Sequence, residues 1–137
     1  MASESIYREN ILNHYKHPRN RGKMEGATST AHDLNPFCGD DITMCLKIGK
    51  EKNIDDIKFE GTACAICTSS ASMLTEEVKE KPLEYARTFG KEKLLGMIGI
   101  SPGPTRLKCA LMPLKVLKLA VYRHIGKKMS EEDEGLV

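Results

Sequence analysis

The sequence predicts an α+β fold in which a small antiparallel sheet of about three strands carries helices packed on one face. Two segments alternate apolar and polar residues as half-buried strands do, residues 42–48 (ITMCLKI) and residues 54–60 (IDDIKFE). The turn-forming sequence GKEKN separates them, so the two strands are expected to pair as an antiparallel hairpin with one face on a core. Helical spacing dominates the second half of the chain, and this order of elements favours a single α+β domain.

A helix and an edge strand are predicted before the hairpin. The helix covers residues 5–16, and the edge strand covers residues 28–34. The apolar stripe of the helix is predicted to be Tyr7, Ile11 and Tyr15, with Ile6 beside it. We expect this stripe to face the core.

Three helical segments are predicted after the hairpin. The first runs from the Thr68 region to a stop before Pro82, and the second covers residues 83–89. The segment SPGPT is expected to be a turn or extended, because two prolines and a glycine oppose helix formation there. Proline is tolerated in the first turn of a helix, where its missing N–H has no partner to lose. The last helix is therefore expected to begin near Cys109, so that Pro113 falls in its first turn.

The composition is that of a soluble globular domain, with 40% hydrophobic and 29% charged residues among 137. A net charge of +2 is too balanced to indicate a nucleic-acid partner, and no apolar run is long enough to cross a membrane. The opening residues lack a signal-peptide core, so we expect a cytoplasmic location. We expect one domain at residues 1–126 and a charged, flexible tail at residues 127–137. The lysines expected to lie on solvated surface are Lys115, Lys118, Lys127 and Lys128.

Five cysteines in a chain without a signal sequence argue against a disulfide framework. Three of them lie at predicted boundaries: Cys38 before the first clear strand, Cys64 after the hairpin, and Cys109 at the start of the last helix. The scaffold can therefore bring three thiols to one end of the sheet. Asp40 joins this set, because Gly39 allows the backbone between Cys38 and Asp40 to turn both side chains toward one ion.

Three thiolates and one carboxylate form a tetrahedral donor set that suits Zn²⁺ or the outer ligands of a [2Fe–2S] cluster. An oxygen in place of a fourth sulfur weakens the hold on an iron–sulfur unit, which suits a cluster that is built and handed on. The predicted helix start, with Arg106 and Lys108 beside Cys109, would offset the negative charge. The same field makes Cys109 the candidate sulfur acceptor.

The spacing Cys64-Ala-Ile-Cys67 leaves three interpretations open. It can be a redox dithiol, it can add Cys67 to the metal site as a fourth thiolate, or Cys67 can be a buried residue at a helix start. Cys45 lies four strand residues beyond Asp41, ~13 Å away, and is expected to be structural. The histidines are expected to be surface or packing residues, and the methionines core residues: His14, His17, His32 and His124; Met44, Met73, Met97 and Met112.

Three ordered motifs resemble those of the IscU/SufU-type iron–sulfur cluster assembly scaffolds, the NifU N-terminal-like family. They are NPFCGD, FEGTACAICTSSASMLTE and RLKCA, and the opening segment YRENILNHYKHPRNRG is also similar. The resemblance implies the ligands Cys38, Cys64 and Cys109, with Asp40 as a labilising carboxylate. It also implies a cysteine desulfurase as sulfur donor, apo iron–sulfur proteins as recipients, and Zn²⁺ as an occupant of the same ligands.

Two branches of the family are similar to different parts of this chain. RLKCA and the opening segment resemble the SufU-like branch of zinc-dependent sulfurtransferases, whereas the short gap from Cys64 to Cys109 resembles the IscU-like branch. The IscU-like branch has histidine at the position of Lys108 and a chaperone-binding motif where this chain has PGPTR. The predicted function is a [2Fe–2S] scaffold without turnover chemistry of its own; the alternatives are a zinc-dependent sulfurtransferase and a thiol redox module. The sequence leaves open whether the chain forms a homodimer or a higher oligomer.

Overall fold

The fold is described from a computed structural model of the chain, for residues 4–36, 39–99, 101–126 and Asp133. Three strands and five helices follow one another along the chain. They are α1 (Glu4–Lys16), β1 (Ser29–Asn35), β2 (Asp40–Ile48), β3 (Ile54–Glu60), α2 (Ala65–Val78), α3 (Leu83–Arg87), α4 (Lys91–Ile98) and α5 (Pro104–Ile125). The predicted α+β fold with a three-stranded antiparallel sheet is confirmed. Within the described residues, no helix combines the length and the apolar character needed to span a membrane.

The sheet has the strand order β1-β2-β3, with β2 in the centre and both pairs antiparallel. Ile42, Met44 and Leu46 on β2 are fully buried against the helices, as the alternation predicted. Their neighbours Thr43 and Cys45 lie on the opposite face, which is partly exposed. One face of the sheet therefore forms the floor of the core.

Helix α2 lies at the centre of the helical layer and packs against α1, α5 and β3. Small polar side chains on its buried faces donate hydrogen bonds to carbonyl groups of its neighbours. Ser69 Oγ donates to the carbonyl of Ile11 at 2.7 Å, and Ser70 Oγ donates to the carbonyl of Ala110 at 2.6 Å. These bonds satisfy the hydroxyl groups, so a polar helix can lie in the interior.

The predicted stripe of α1 is partly wrong. Tyr15 is 45% exposed and Ile6 is 57% exposed, whereas Ile11 and His14 are buried. His14 turns inward because Nδ1 lies 2.7 Å from Ser72 Oγ on α2. Burial lowers the pKa of His14 below its ordinary value of 6.5, nearby Arg19 lowers it further, and Glu76 partly offsets both.

The predicted start of the last helix is wrong, because α5 begins at Pro104, one turn before Cys109. Pro104 occupies the first turn, and Pro113 lies inside the helix. Pro113 has no N–H to offer the carbonyl of Cys109, and an internal proline costs a helix about 3 kcal/mol. The packing of α5 along β1, β2 and α2 outweighs this cost, and the hydrogen bond from Ser70 supports the helix at Ala110.

The prediction of a solvated lysine face is wrong for Lys118. Its Nζ donates to Asp133 Oδ1 at 2.8 Å and to the carbonyl of Arg87 at 3.0 Å, and the side chain is buried. Tyr122 donates to Asp133 Oδ2 at 3.0 Å. A buried acid facing this helix draws the lysine inward. Apart from Asp133, the predicted tail at residues 127–137 lies outside the described residues.

Candidate metal centre

Three elements that are distant in sequence bring Asp40, Cys64 and Cys109 together. Asp40 begins β2, Cys64 precedes α2, and Cys109 lies in the second turn of α5. One ligand atom from each residue lies within 4.8 Å of those of the other two. The fourth predicted ligand, Cys38, lies outside the described residues, and its role as a ligand stays a prediction.

Asp40 is 1% exposed and makes direct contact with the second cysteine. Its Oδ1 accepts a hydrogen bond from the backbone N–H of Cys64 at 2.8 Å, and its Oδ2 lies 3.8 Å from Cys64 Sγ. The turn before Asp40 depends on Gly39, which has a φ of +73° that favours glycine. Asp40 therefore positions the segment that carries Cys64, and its role as an oxygen ligand stays a prediction.

Close backbone approach brings the end of β3 next to the start of β2. The N–H of Asp41 donates to the carbonyl of Thr62 at 2.8 Å. A Cβ on Gly61 would lie 1.9 Å from the carbonyl oxygen of Asp41, and Gly61 has a φ of +132°. Only glycine allows this approach, which sets Cys64 beside Asp40.

Cys64 occupies the N-cap position of α2 and is only partly buried. Its Sγ accepts a hydrogen bond from the backbone N–H of Cys67 at 3.4 Å. The sulfur atom thus lies at a helix N-terminus, where unpaired N–H groups and the helix dipole favour anionic ligands.

Cys109 is 1% exposed. Its position in α5 contradicts the argument by which the sequence predicted a reactive thiol there. That argument rested on a helix start at Cys109 with Arg106 and Lys108 beside it, but the N-terminal N–H groups of α5 belong to the turn before Cys109. Arg106 and Lys108 are exposed on that preceding turn. The cysteine at a helix N-cap is Cys64, at the start of α2.

Comparison with known proteins assigns the chain to a family. The family model described as "NifU-like N terminal domain" matches residues 6–131. The chain belongs to this family.

Relatives of this NifU-like chain carry names from both branches that the motifs resemble. It is 35% identical to the "Zinc-dependent sulfurtransferase SufU" of Bacillus subtilis, over 90% of this chain and 94% of that protein. It is 32% identical to the "Iron-sulfur cluster assembly scaffold protein IscU" of Aquifex aeolicus, over 93% of this chain and 81% of that protein. The resemblance to the IscU/SufU-type scaffolds is confirmed.

Solved structures agree with the fold of this NifU-like chain. A putative iron–sulfur cluster assembly scaffold protein for the SUF system from Fervidobacterium islandicum superposes with a TM-score of 0.70 at 28% identity, covering 87% of this chain and 98% of that one. The N-terminal part of a NifU-like protein from Brucella abortus shares the fold at 18% identity, with a TM-score of 0.73 over 91% of this chain and 98% of that one.

The donor set of the NifU-like chain fits a metal ion that accepts both sulfur and oxygen. Two thiols and a carboxylate converge among the described residues, and their types match Zn²⁺ or an iron–sulfur unit. Neither Cys45 nor Cys67 belongs to this group. Cys67 is buried in the core, and Cys45 lies on the outer face of the sheet, where Thr30 Oγ1 is 3.7 Å from its sulfur.

Sequence reasoning missed the direct bond from the Cys64 backbone to Asp40. The two residues are 24 positions apart, and they lie on different elements. No local pattern in the sequence signals such a bond, because it depends on how β2 and β3 meet. Asp40 was identified as an oxygen ligand only, and its contact with the backbone adds a structural role.

Proposed function

We propose that this chain is a scaffold on which [2Fe–2S] clusters are assembled and from which they pass to apo iron–sulfur proteins. The observation that supports this most strongly is the convergence of Asp40, Cys64 and Cys109, whose donor atoms lie within 4.8 Å of one another. Membership of a family with IscU scaffold relatives agrees with it. Iron and sulfur are then cargo, and a cysteine desulfurase is the sulfur donor.

The proposed ligands are Cys38, Asp40, Cys64 and Cys109. Thiolates bind iron strongly, and the Asp40 carboxylate is a harder ligand that an iron–sulfur unit holds less firmly. Asp40 is also bonded to the Cys64 backbone, so its oxygen stays in place when the cargo leaves. A site of this kind holds a cluster long enough to complete it and still releases it.

The sulfur acceptor has two candidates. Cys109 is the acceptor proposed from sequence, but it is buried, whereas Cys64 is partly exposed. Their sulfur atoms lie within 4.8 Å of each other, so sulfane sulfur received by one can pass to the other through thiol exchange. We propose that the pair receives sulfur, with Cys64 as the more accessible entry point.

The test is anaerobic purification followed by iron, sulfide and zinc analysis, and then reconstitution with ferrous iron, cysteine and a desulfurase. Visible cluster absorbance is expected in the wild-type chain, and transfer is measured as its appearance on an apo-ferredoxin. Cys38→Ala, Cys64→Ala and Cys109→Ala are expected to lose the absorbance. The matched control is Cys45→Ala, which is expected to retain it. Full cluster content in the three ligand variants would refute the proposal.

A second candidate is a zinc-dependent sulfurtransferase that accepts persulfide sulfur from a desulfurase. The observation that favours it is the 35% identity to the sulfurtransferase SufU across nearly the whole chain. In that case Zn²⁺ would be held by the same residues and would supply Lewis acidity toward the bound thiolates. Tight stoichiometric zinc, strong stimulation of the desulfurase and no cluster on reconstitution would favour this candidate over the scaffold.

A further inference from the structure

Cys67 is buried and lies outside the proposed ligand set, yet its backbone contacts the sulfur of Cys64. It is fully buried in the first turn of α2, three residues after the N-cap cysteine. Its backbone N–H points at Cys64 Sγ, with the nitrogen 3.4 Å from the sulfur. The two cysteines therefore form a dithiol whose first sulfur is accessible and whose second is protected.

The backbone geometry at this helix start suits a disulfide. Residues three apart on a helix have Cα atoms about 5 Å apart, inside the range of ~4.4–6.8 Å that disulfides span. Side chains on a helix lean toward its N-terminus, so the Cys67 thiol can reach toward Cys64 by a change of rotamer. The bond can therefore form without moving the helix.

We propose that Cys67 is a resolving thiol that reductively releases sulfide from a persulfide on Cys64. The Cys67 sulfur attacks Cys64 Sγ, and the bond between Cys64 Sγ and the outer sulfur breaks. The outer sulfur leaves as hydrosulfide and takes up the proton of the Cys67 thiol. The outer sulfur is reduced by two electrons, and the two cysteine sulfurs are oxidised to a disulfide. This inference rests on the proposed delivery of sulfane sulfur to the centre.

The difference in burial between the two thiols favours this direction of attack. Cys67 is fully buried, whereas Cys64 is partly exposed, so a sulfur that leaves Cys64 can reach solvent. Asp40 and Cys109 each have a donor atom within 4.8 Å of Cys64 Sγ, so sulfide is released next to the proposed iron site. Burial also shields Cys67 from external thiols. A dithiol reductant that reaches the exposed Cys64 sulfur restores the pair after each release.

The test uses the full-length chain stripped of metal, treated with glutathione persulfide and desalted. Wild type is expected to release sulfide without any added thiol and to acquire a disulfide within the tryptic peptide of residues 59–79. Cys67→Ser and Cys67→Ala are expected to release sulfide at least about tenfold more slowly and to retain the persulfide on Cys64. Cys45→Ser is the matched control and is expected to behave as wild type.

Two variants guard against misfolding at a buried position, since serine adds a buried hydroxyl group and alanine keeps the site apolar. Stoichiometric zinc binding verifies that each variant is folded. Unchanged sulfide release in the folded Cys67 variants, or a disulfide between Cys64 and Cys109 in wild type, would overturn the inference.

The proposed function is tested separately. With dithiothreitol present, cluster assembly in the Cys67 variants is expected to match wild type, because the added dithiol replaces the resolving thiol. A wild-type chain that forms the disulfide but never assembles a cluster would contradict the scaffold and leave the dithiol chemistry intact. A chain that assembles clusters while its persulfide stays on Cys64 would contradict the resolving role of Cys67 and leave the scaffold proposal intact.

Discussion

Two buried carboxylates, those of Asp133 and Asp40, have different surroundings. Asp133 meets the ammonium group of Lys118 and the hydroxyl group of Tyr122, so its charge is neutralised in place. Asp40 accepts an N–H from the Cys64 backbone and lies among the thiols of Cys64 and Cys109. The first arrangement stabilises a fold. The second arrangement places a carboxylate beside two thiols, and such a set of metal-ligating groups favours a bound cation.

The same helix serves both carboxylates. Cys109 and Lys118 are nine residues apart on α5, which places them about 14 Å apart along the helix axis. Lys118 also bonds to the carbonyl of Arg87 at the end of α3. A change at the ion pair of Lys118 and Asp133 can therefore alter stability without altering the donors, and variants at the two sites distinguish these outcomes.

The largest effect is expected from removing a sulfur ligand. Cys64→Ala or Cys109→Ala should weaken zinc binding by more than about a hundredfold, because even outer-sphere partners of a metal cost 10–100-fold when lost. Competition with a chromophoric chelator measures the affinity. Cys45→Ala should leave the affinity unchanged, and an equal loss in that variant would contradict the assigned centre.

The second largest effect is expected on stability, from breaking the ion pair of Lys118 and Asp133. Lys118→Met should lower the free energy of unfolding by about 2 kcal/mol, less than the 3–5 kcal/mol of fully enclosed pairs, because Tyr122 still donates a hydrogen bond to Asp133. Urea unfolding of the metal-free chain measures it. Lys118→Met combined with Asp133→Leu should recover most of the loss, and zinc affinity should stay at the wild-type value in both. Reduced zinc affinity would show that the two regions are coupled.

The third effect separates the two roles of Asp40. Asp40→Ala should slow the loss of a reconstituted cluster to a chelator by roughly threefold to tenfold, since the labilising oxygen ligand is gone. Asp40→Asn keeps an acceptor for the Cys64 N–H but removes the charge. If only the alanine variant loses stability toward urea, then the hydrogen bond from the Cys64 backbone accounts for the structural role of Asp40. Faster cluster loss in either variant would contradict the labilising role.

The smallest expected effect is a pH dependence of the free energy of unfolding, which arises from His14 and not from either carboxylate. The pKa of His14 lies below 6.5, so the unfolded chain takes up this proton before the folded chain does. The stabilising contribution is complete above pH 6.5 and is lost as the pH falls below that value. Urea unfolding at several pH values should show a decline that His14→Gln reduces. The same decline in the variant would refute this assignment.

The sequence predicted the sheet because its alternation is local and strict. Ile42, Met44 and Leu46 face the core as expected. Asp40, Cys64 and Cys109 lie close together, although Cys109 is in the second turn of α5 and not at the predicted helix start, and their role as ligands stays a prediction. The errors arose where a distant partner outweighs a local rule. Pro113 is carried inside α5 by packing along the sheet, and Lys118 is drawn inward by Asp133, which local periodicity does not reveal.

The wrong prediction that Tyr15 on α1 faces the core has the same cause, a distant partner. Spacing alone allowed Tyr15 or His14 to face inward, and the hydrogen bond to Ser72 selects His14. Ser72 lies 58 positions away, so no window along the sequence contains both residues. Such polar contacts between helices limit what periodicity can predict.

The close crossing of main chains at Gly61 and Asp41 has a consequence for tolerance to mutation. Any larger residue at position 61 would push the two strand ends apart and separate Cys64 from Asp40, although no donor atom would be altered. Damage to such a centre can therefore come from a position with no side chain at all. Searches for sulfur-based centres in unfamiliar sequences should weigh small residues just ahead of a cysteine as heavily as the cysteine itself.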